Sequence, residues 1–223
     1  MSAIVIAFAQ RKGGAGKTTL AAHLAIALTQ MGYAVGIIDT DPQGSLARWY
    51  QTREDRLGGA GTGLGFVATS GWRSPAAISL EGRDCEILLV DTPASADGDV
   101  RVAIRASDLV VAPVQPSPVD VWATMPTLQL AQQENVPALL VLNRVPARAC
   151  LTTAMRERLA DYDVGLASVT VGNRIALAAS FAQGYGIAEA VPGSHGADEI
   201  AALAHEILEL LPPAALTRPR NAA

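Results

Sequence analysis

The stretch "GGAGKTT" (13–19) puts three glycines, a lysine and two threonine hydroxyls within seven residues. Gly13, Gly14 and Gly16 can take backbone conformations closed to other residues. Successive N–H groups, that of Ala15 included, can then converge on phosphate oxygens. In that cradle Lys17 would reach the β- and γ-phosphates of a nucleoside triphosphate, the Thr18 hydroxyl would ligate Mg²⁺, and Thr19 would complete the contact surface. The chain has 15 arginines but only two lysines, Lys12 and Lys17, and both lie at this loop. A slim ammonium threads among phosphates and backbone amides where the wide, rigid guanidinium fork fits poorly.

Three further segments carry groups that suit phosphate chemistry. "IIDTDPQGS" (37–45) offers Asp39 and Asp41 on alternate positions at a strand end, so both can approach a nucleotide without being equivalent. A carboxylate there can orient an attacking water and help take its proton. We expect that role for Asp41 and an outer position near Mg²⁺ for Asp39. "EILLVDTPAS" (86–95) ends a hydrophobic run on Asp91, a fitting metal-holding aspartate at a neighbouring strand end. "VLNR" (141–144) ends a later strand on Asn143, whose carboxamide can both donate to and accept from a base edge.

These groups need a scaffold that brings strand ends together. Candidate strands are 3–9, 34–39, 64–69, 86–91, 109–114, 138–143 and 165–171, most of them continuously apolar, as strands covered on both faces should be. Helical patterns lie between them at 17–31, 97–106, 118–133, 150–160, 174–183 and 197–211. The alternation predicts an α/β fold, a doubly wound and mostly parallel sheet flanked by helices, with ligands beyond the carboxyl ends of the strands. A strand before "GGAGKTT" and a helix after it is the context a phosphate loop requires. The chain divides into one domain over 1–211 and a tail over 212–223 that we expect to fray. The Gly-rich 57–65 reads as a mobile surface loop.

The loop departs from the plain Walker pattern, because residue 11 is arginine where a first glycine belongs. "KGGAGKTT" resembles instead the deviant Walker A of the ParA/MinD ATPases, and "PVQPSPVDVWA" (113–123) resembles the small ParF-like branch, which lacks an N-terminal helix-turn-helix. The resemblance implies a P-loop ATPase using ATP and Mg²⁺, in which Lys12 is the signature lysine and reaches the phosphates bound by a second subunit. It implies that "DTDPQ" is the first switch, in which Asp41 positions the attacking water, that "DTPAS" begins the second switch, and that Asn143 reads the adenine edge. Where the family more often has glycine after its aspartate–proline, this chain has Ala94 and Ser95. The resemblance further implies a homodimer on ATP binding, non-specific DNA binding, and a ParB-like or adaptor protein that stimulates hydrolysis. The expected outcome is positioning of a cargo: a plasmid, a chromosome region or a protein assembly. By the same resemblance Arg174, before the helix at 174–183, is the first choice for DNA, with Arg144 and Arg148 beside it. Arg218 and Arg220 on the tail would assist. Asp120 fits a helix cap better than an interface contact.

Composition bounds the rest. Half the residues are hydrophobic and 17% are charged, which marks a globular chain with a large core. A net charge of -4 leaves any nucleic-acid surface to a local patch. Cys85 and Cys150 lack metal-ligand spacing and read as buried filler in a reducing cytosol. No 18-residue apolar run is present, so we expect no membrane partner and a cytoplasmic protein; the DNA binding that the resemblance implies would make it nucleoid-associated. A MinD-like membrane cycle needs a basic amphipathic C-terminal helix, whereas "GADEIAALAHEILEL" (196–210) is acidic on its polar side. A metabolic P-loop enzyme that activates or phosphorylates a small molecule is the other alternative; it would not need Lys12.

Overall fold

A computed structural model describes residues 3–94, 98–147, 150–160, 162 and 164–211, leaving aside the side chains of 60, 61, 150 and 151. The expected tail at 212–223, with Arg218 and Arg220, lies outside these residues, as do Ser95 and Arg148. The strands are β1 (Ile4–Phe8), β2 (Val35–Asp39), β3 (Gly65–Ala68), β4 (Ile87–Asp91), β5 (Leu109–Val114), β6 (Ala138–Leu142) and β7 (Gly165–Leu166). They form one seven-stranded sheet in the order β3-β2-β4-β1-β5-β6-β7, and every pairing is parallel. β1 is central: the chain winds first to one side of it and then to the other. The crevice at such a switch point is where α/β sheets bind ligands.

The alternation of β1 sorts the layers. Ile4, Ile6 and Phe8 face one cluster, with α1 (Lys17–Gln30), α2 (Ser45–Leu57), α7 (Ile175–Ala182), α8 (Ile187–Ala190) and α9 (His195–Leu210). The opposite face packs on α3 (Ser74–Glu81), α4 (Gly98–Arg105), α5 (Pro118–Gln133) and α6 (Cys150–Ala160). α1 is apolar nearly all round and buried from Leu20 to Leu28, because α7, α8 and α9 cover the side that the sheet does not.

Three helices escaped the sequence reading: α2, α3 and the short α8. α2 has no side-chain N-cap of its own, since its N-cap is Gly44 at φ 62°. The Gly-rich 57–65 forms a single-turn helix at Gly59–Thr62 rather than an open loop, and Thr62 is buried with its carbonyl accepting from Arg53 (2.8 Å). β7 is only two residues long, yet Ala167 and Val171 N–H still donate to Leu140 and Leu142 carbonyls, which extends the edge irregularly.

His23 ties the helical layer together. On buried α1 its Nε2 lies 3.0 Å from the Leu177 carbonyl and its Nδ1 accepts the Ile187 N–H at 3.0 Å, so the ring is the neutral Nε2–H tautomer. Burial pushes its pKa down to about 4, against the pull of the Leu177 carbonyl. The folded value lies below the unfolded one, so the His23 contribution is present above pH 6.5 and is lost as pH falls from 6.5 toward 4. The loss is on the order of 3 kcal/mol. Urea denaturation should therefore show wild type losing more stability than His23→Gln over that range; equal losses would contradict this account.

Candidate nucleotide site

Strand register assembles the site. Phe8 on β1 and Asp39 on β2 both sit level with Asp91 on β4, so three strand ends finish on one line. The loop leaving β1 crosses that line and enters α1 at Gly16, which takes φ 98° and caps the helix without a side chain. A Cβ at Gly16 would stand 2.3 Å from the Asn143 amide nitrogen, so glycine is required there by space as well as by backbone angle. The start of α1 then presents free N–H groups and the positive dipole end toward the loop.

The expected phosphate residues come together. Gly13, Gly14, Gly16, Lys17, Thr18 and Thr19 line one open cleft of roughly 390 Å³, with Asp41, Gln43 and Ser45 along one wall and Ala94 and Arg144 along others. Ala15 is buried behind it, and its carbonyl accepts the Asn143 side-chain amide at 2.7 Å. Lys17 folds across its own loop and donates to the Gln10 carbonyl (3.1 Å). Burial pushes its ammonium pKa down, opposed by Asp91 and Asp41.

The metal question turns on Asp91. Its Oδ2 accepts the Thr18 hydroxyl at 2.6 Å, while its buried Oδ1 has no hydrogen-bond partner. Complete burial pushes the carboxyl up to about 7; the Thr18 bond and Lys17 oppose this, and Asp39 and Asp41 add to it. An unpartnered carboxylate oxygen buried beside a threonine hydroxyl and a phosphate loop suits a hard, oxygen-seeking cation. Among the described residues, no group of three or more His, Cys, Asp or Glu forms a complete protein cage. A cation held here would draw remaining ligands from phosphate and water, as Mg²⁺ does.

Asp39 holds the first switch rather than standing open to the cleft. Its Oδ1 accepts the Asp41 N–H (3.0 Å) and its Oδ2 accepts the Ala47 N–H (2.9 Å), so one carboxylate shapes the switch loop and caps α2. Burial raises its pKa, and these two N–H donors oppose the rise. Asp41 is half exposed on the cleft wall, with its own Oδ1 accepting the Gln43 N–H (2.9 Å).

Lys12 leaves this cleft altogether. Its ammonium lies 2.8 Å from Asp120 in the first turn of α5. Sequence reading missed the bonds around that pair: Gln10 Nε2 donates to Thr124 Oγ1 (2.8 Å), Arg11 N–H to Thr127 Oγ1 (3.3 Å), and Gln115 Nε2 to the Gly14 carbonyl (3.2 Å). Asp120, Thr124 and Thr127 fall at i, i+4 and i+7, one stripe of α5 facing the loop. Only that spacing, read together with the loop, could have signalled it.

Arg144 and Arg174 meet beside α1, lining a small pocket with Thr19, Asn143 and Asn173. Arg144 is exposed with φ 54°. Arg174 is paired with Glu199 through two bonds (2.8 and 2.5 Å), so its charge is already answered within the chain. Half-buried Cys85 has its thiol pushed up to about 11 by burial, which makes it inert. Among the described residues no helix is long and apolar enough to cross a membrane.

Comparison with known proteins agrees with this geometry. The CobQ/CobB/MinD/ParA nucleotide binding domain family matches residues 6–217. The chain is 29% identical over 213 residues to the maintenance of carboxysome distribution protein A of Halothiobacillus neapolitanus, covering 92% of this chain and 97% of that one. It is 27% identical over 235 residues to the chromosome-partitioning ATPase Soj of Thermus thermophilus, covering 91% and 94%. A putative plasmid partition protein from Borrelia burgdorferi, solved with AMPPNP, shares the fold with a TM-score of 0.75 at 18% identity, covering 94% of this chain and all of that one. With one family model matching nearly its whole length, and its phosphate loop and Asp41 lining one cleft, the chain belongs to the CobQ/CobB/MinD/ParA nucleotide-binding family.

Proposed function

We propose that this chain is a ParA-type ATPase whose working unit is residues 1–211. It binds ATP with Mg²⁺, closes into a dimer with nucleotide between the subunits, holds DNA non-specifically, and hydrolyses ATP when an adaptor bearing cargo engages it. The observation that carries this reading is the division of labour between the two lysines. Lys17 lines its own phosphate cleft, whereas Lys12 lies outside it, paired with Asp120 and half exposed. An ammonium outside its own cleft supports a role at another subunit's phosphates.

Within the closed site, the loop N–H groups and Lys17 would hold the phosphate oxygens, and Asp91 and Thr18 would hold Mg²⁺. The metal would supply neutralisation of phosphate charge when bound. Asp41 orients the attacking water and draws on its proton, and Asp39 keeps Asp41 in place through the backbone. Asn143, fixed on the Ala15 carbonyl, walls the small pocket shared with Asn173 and Arg144, where an adenine would lie against its carboxamide. Arg144 and Arg148 are the proposed DNA contacts, with Arg174 joining once released from Glu199. A dimer doubles this patch, so a weak site in each subunit suffices in an acidic chain. The cargo is a plasmid, a chromosome region or a protein assembly, and the cellular setting is the nucleoid-bearing cytoplasm.

Lys12→Ala should abolish ATP-dependent dimers in light scattering while monomers still bind nucleotide; Lys17→Ala should weaken nucleotide binding itself by about tenfold or more. Asp41→Ala, which dimerises without turning over, should retard non-specific DNA in a gel only with ATP, and the shift should fade steeply with salt. ATP turnover by wild type without any such DNA retention would favour a metabolic enzyme. Asp91→Asn should cut Mg²⁺-dependent turnover by roughly a hundredfold or more.

A further inference from the structure

The Lys12–Asp120 pair holds the signature lysine inside its own subunit. Asp120 Oδ2 sits 2.8 Å from the Lys12 ammonium, and the same oxygen takes the hydrogen bond of the Ser117 hydroxyl. The carboxylate is nearly covered, with its side chain 7% exposed against 36% for Lys12. It also lies in the first turn of α5, where the helix dipole favours an anion. The loop on the other side is fastened to the same helix stripe through Gln10–Thr124 and Arg11–Thr127. Lys12 is thus partly solvated, whereas the carboxylate that holds it is nearly covered.

We propose that Asp120 is a latch on dimerisation: a positioning residue that competes with the partner's nucleotide for Lys12 and so sets the ATP concentration at which dimers form. This rests on the trans role of Lys12 proposed above. One ammonium cannot be saturated by Asp120 and by a neighbour's phosphates at once, so closing the dimer must open the pair in each subunit. A triphosphate carries several negative charges to the carboxylate's one, so the exchange runs forward when nucleotide is bound and backward when phosphate leaves. The latch holds the empty monomer apart and takes Lys12 back after hydrolysis.

Asp120→Asn keeps the size of the side chain and the Ser117 cap of α5 but removes the charge that holds Lys12. An exposed or half-exposed ion pair corresponds to about threefold in an equilibrium constant, and two latches open per dimer, so dimer association should strengthen about tenfold. Light scattering across an ATP titration reads this directly, with nucleotide affinity measured in dilute monomer as the control. The expected result is half-maximal dimer at lower ATP for Asp120→Asn, unchanged monomer affinity, and return toward wild type in Asp120→Glu. If circular dichroism shows Asp120→Asn to be unfolded, Asp120→Ser gives the same reading. An unchanged or higher ATP requirement, while Lys12→Ala still blocks dimers, overturns the latch alone. Normal dimers in Lys12→Ala overturn instead the trans role on which it stands.

Discussion

The parallel register of β1, β4 and β2 is the constraint on which the site depends. It sets Phe8, Asp91 and Asp39 side by side at the carboxyl edge of the sheet. From that line the phosphate loop leaves β1, the Thr18 hydroxyl returns to Asp91, and the first switch hangs from Asp39. Thr40 and Thr92 lock the register from outside the strands: the Thr40 hydroxyl donates to the Asp91 carbonyl and the Thr92 hydroxyl to the Phe8 carbonyl, each at 2.8 Å. A slip of one residue in β4 would turn Asp91 to the other face and leave Thr18 without its acceptor.

The buried charges gathered at that line are of the kind that a nucleotide and a divalent cation satisfy. Lys17 is pushed toward its neutral form and Asp91 is raised to about 7, each chiefly because burial disfavours charge. Phosphates and a divalent cation supply the opposite charges that these groups lack, so ligand binding and ionisation reinforce one another. The cluster is costly in the empty fold and useful in the filled one. Functional sites are where such local penalties concentrate.

The chemistry was legible in the sequence to the extent that it sits at strand ends. The hydrophobic runs before Gly13, Asp39, Asp91 and Asn143 announced where those residues would stand, and the sheet brings all four to one edge. What stayed hidden depends on contacts between distant segments. α2 begins under the cap of Asp39, from outside the helix, so its own sequence shows no start signal. Thr124 and Thr127 look like indifferent helix residues until α5 is laid against Gln10 and Arg11, more than a hundred positions earlier. Arg174 reads as a free cation because its partner, Glu199, lies 25 positions later on α9. The N-cap of α5 is Ser117, whose Oγ accepts the Asp120 N–H, rather than the expected Asp120, whose carboxylate instead pairs with Lys12 across distant sequence.

The central claim is that the two lysines serve different subunits, and the chain's scarcity of lysine makes this measurable. An acyl phosphate derivative of ATP transfers its acyl group to an amine lying at the phosphates, and this chain offers only Lys12 and Lys17 as side-chain targets. Peptide mass spectrometry after such labelling, at a series of protein concentrations, reports each lysine separately. Lys17 should be labelled at every concentration, and Lys12 only as dimers form. Lys12 labelling that is independent of protein concentration, or absent under dimeric conditions, would contradict the account.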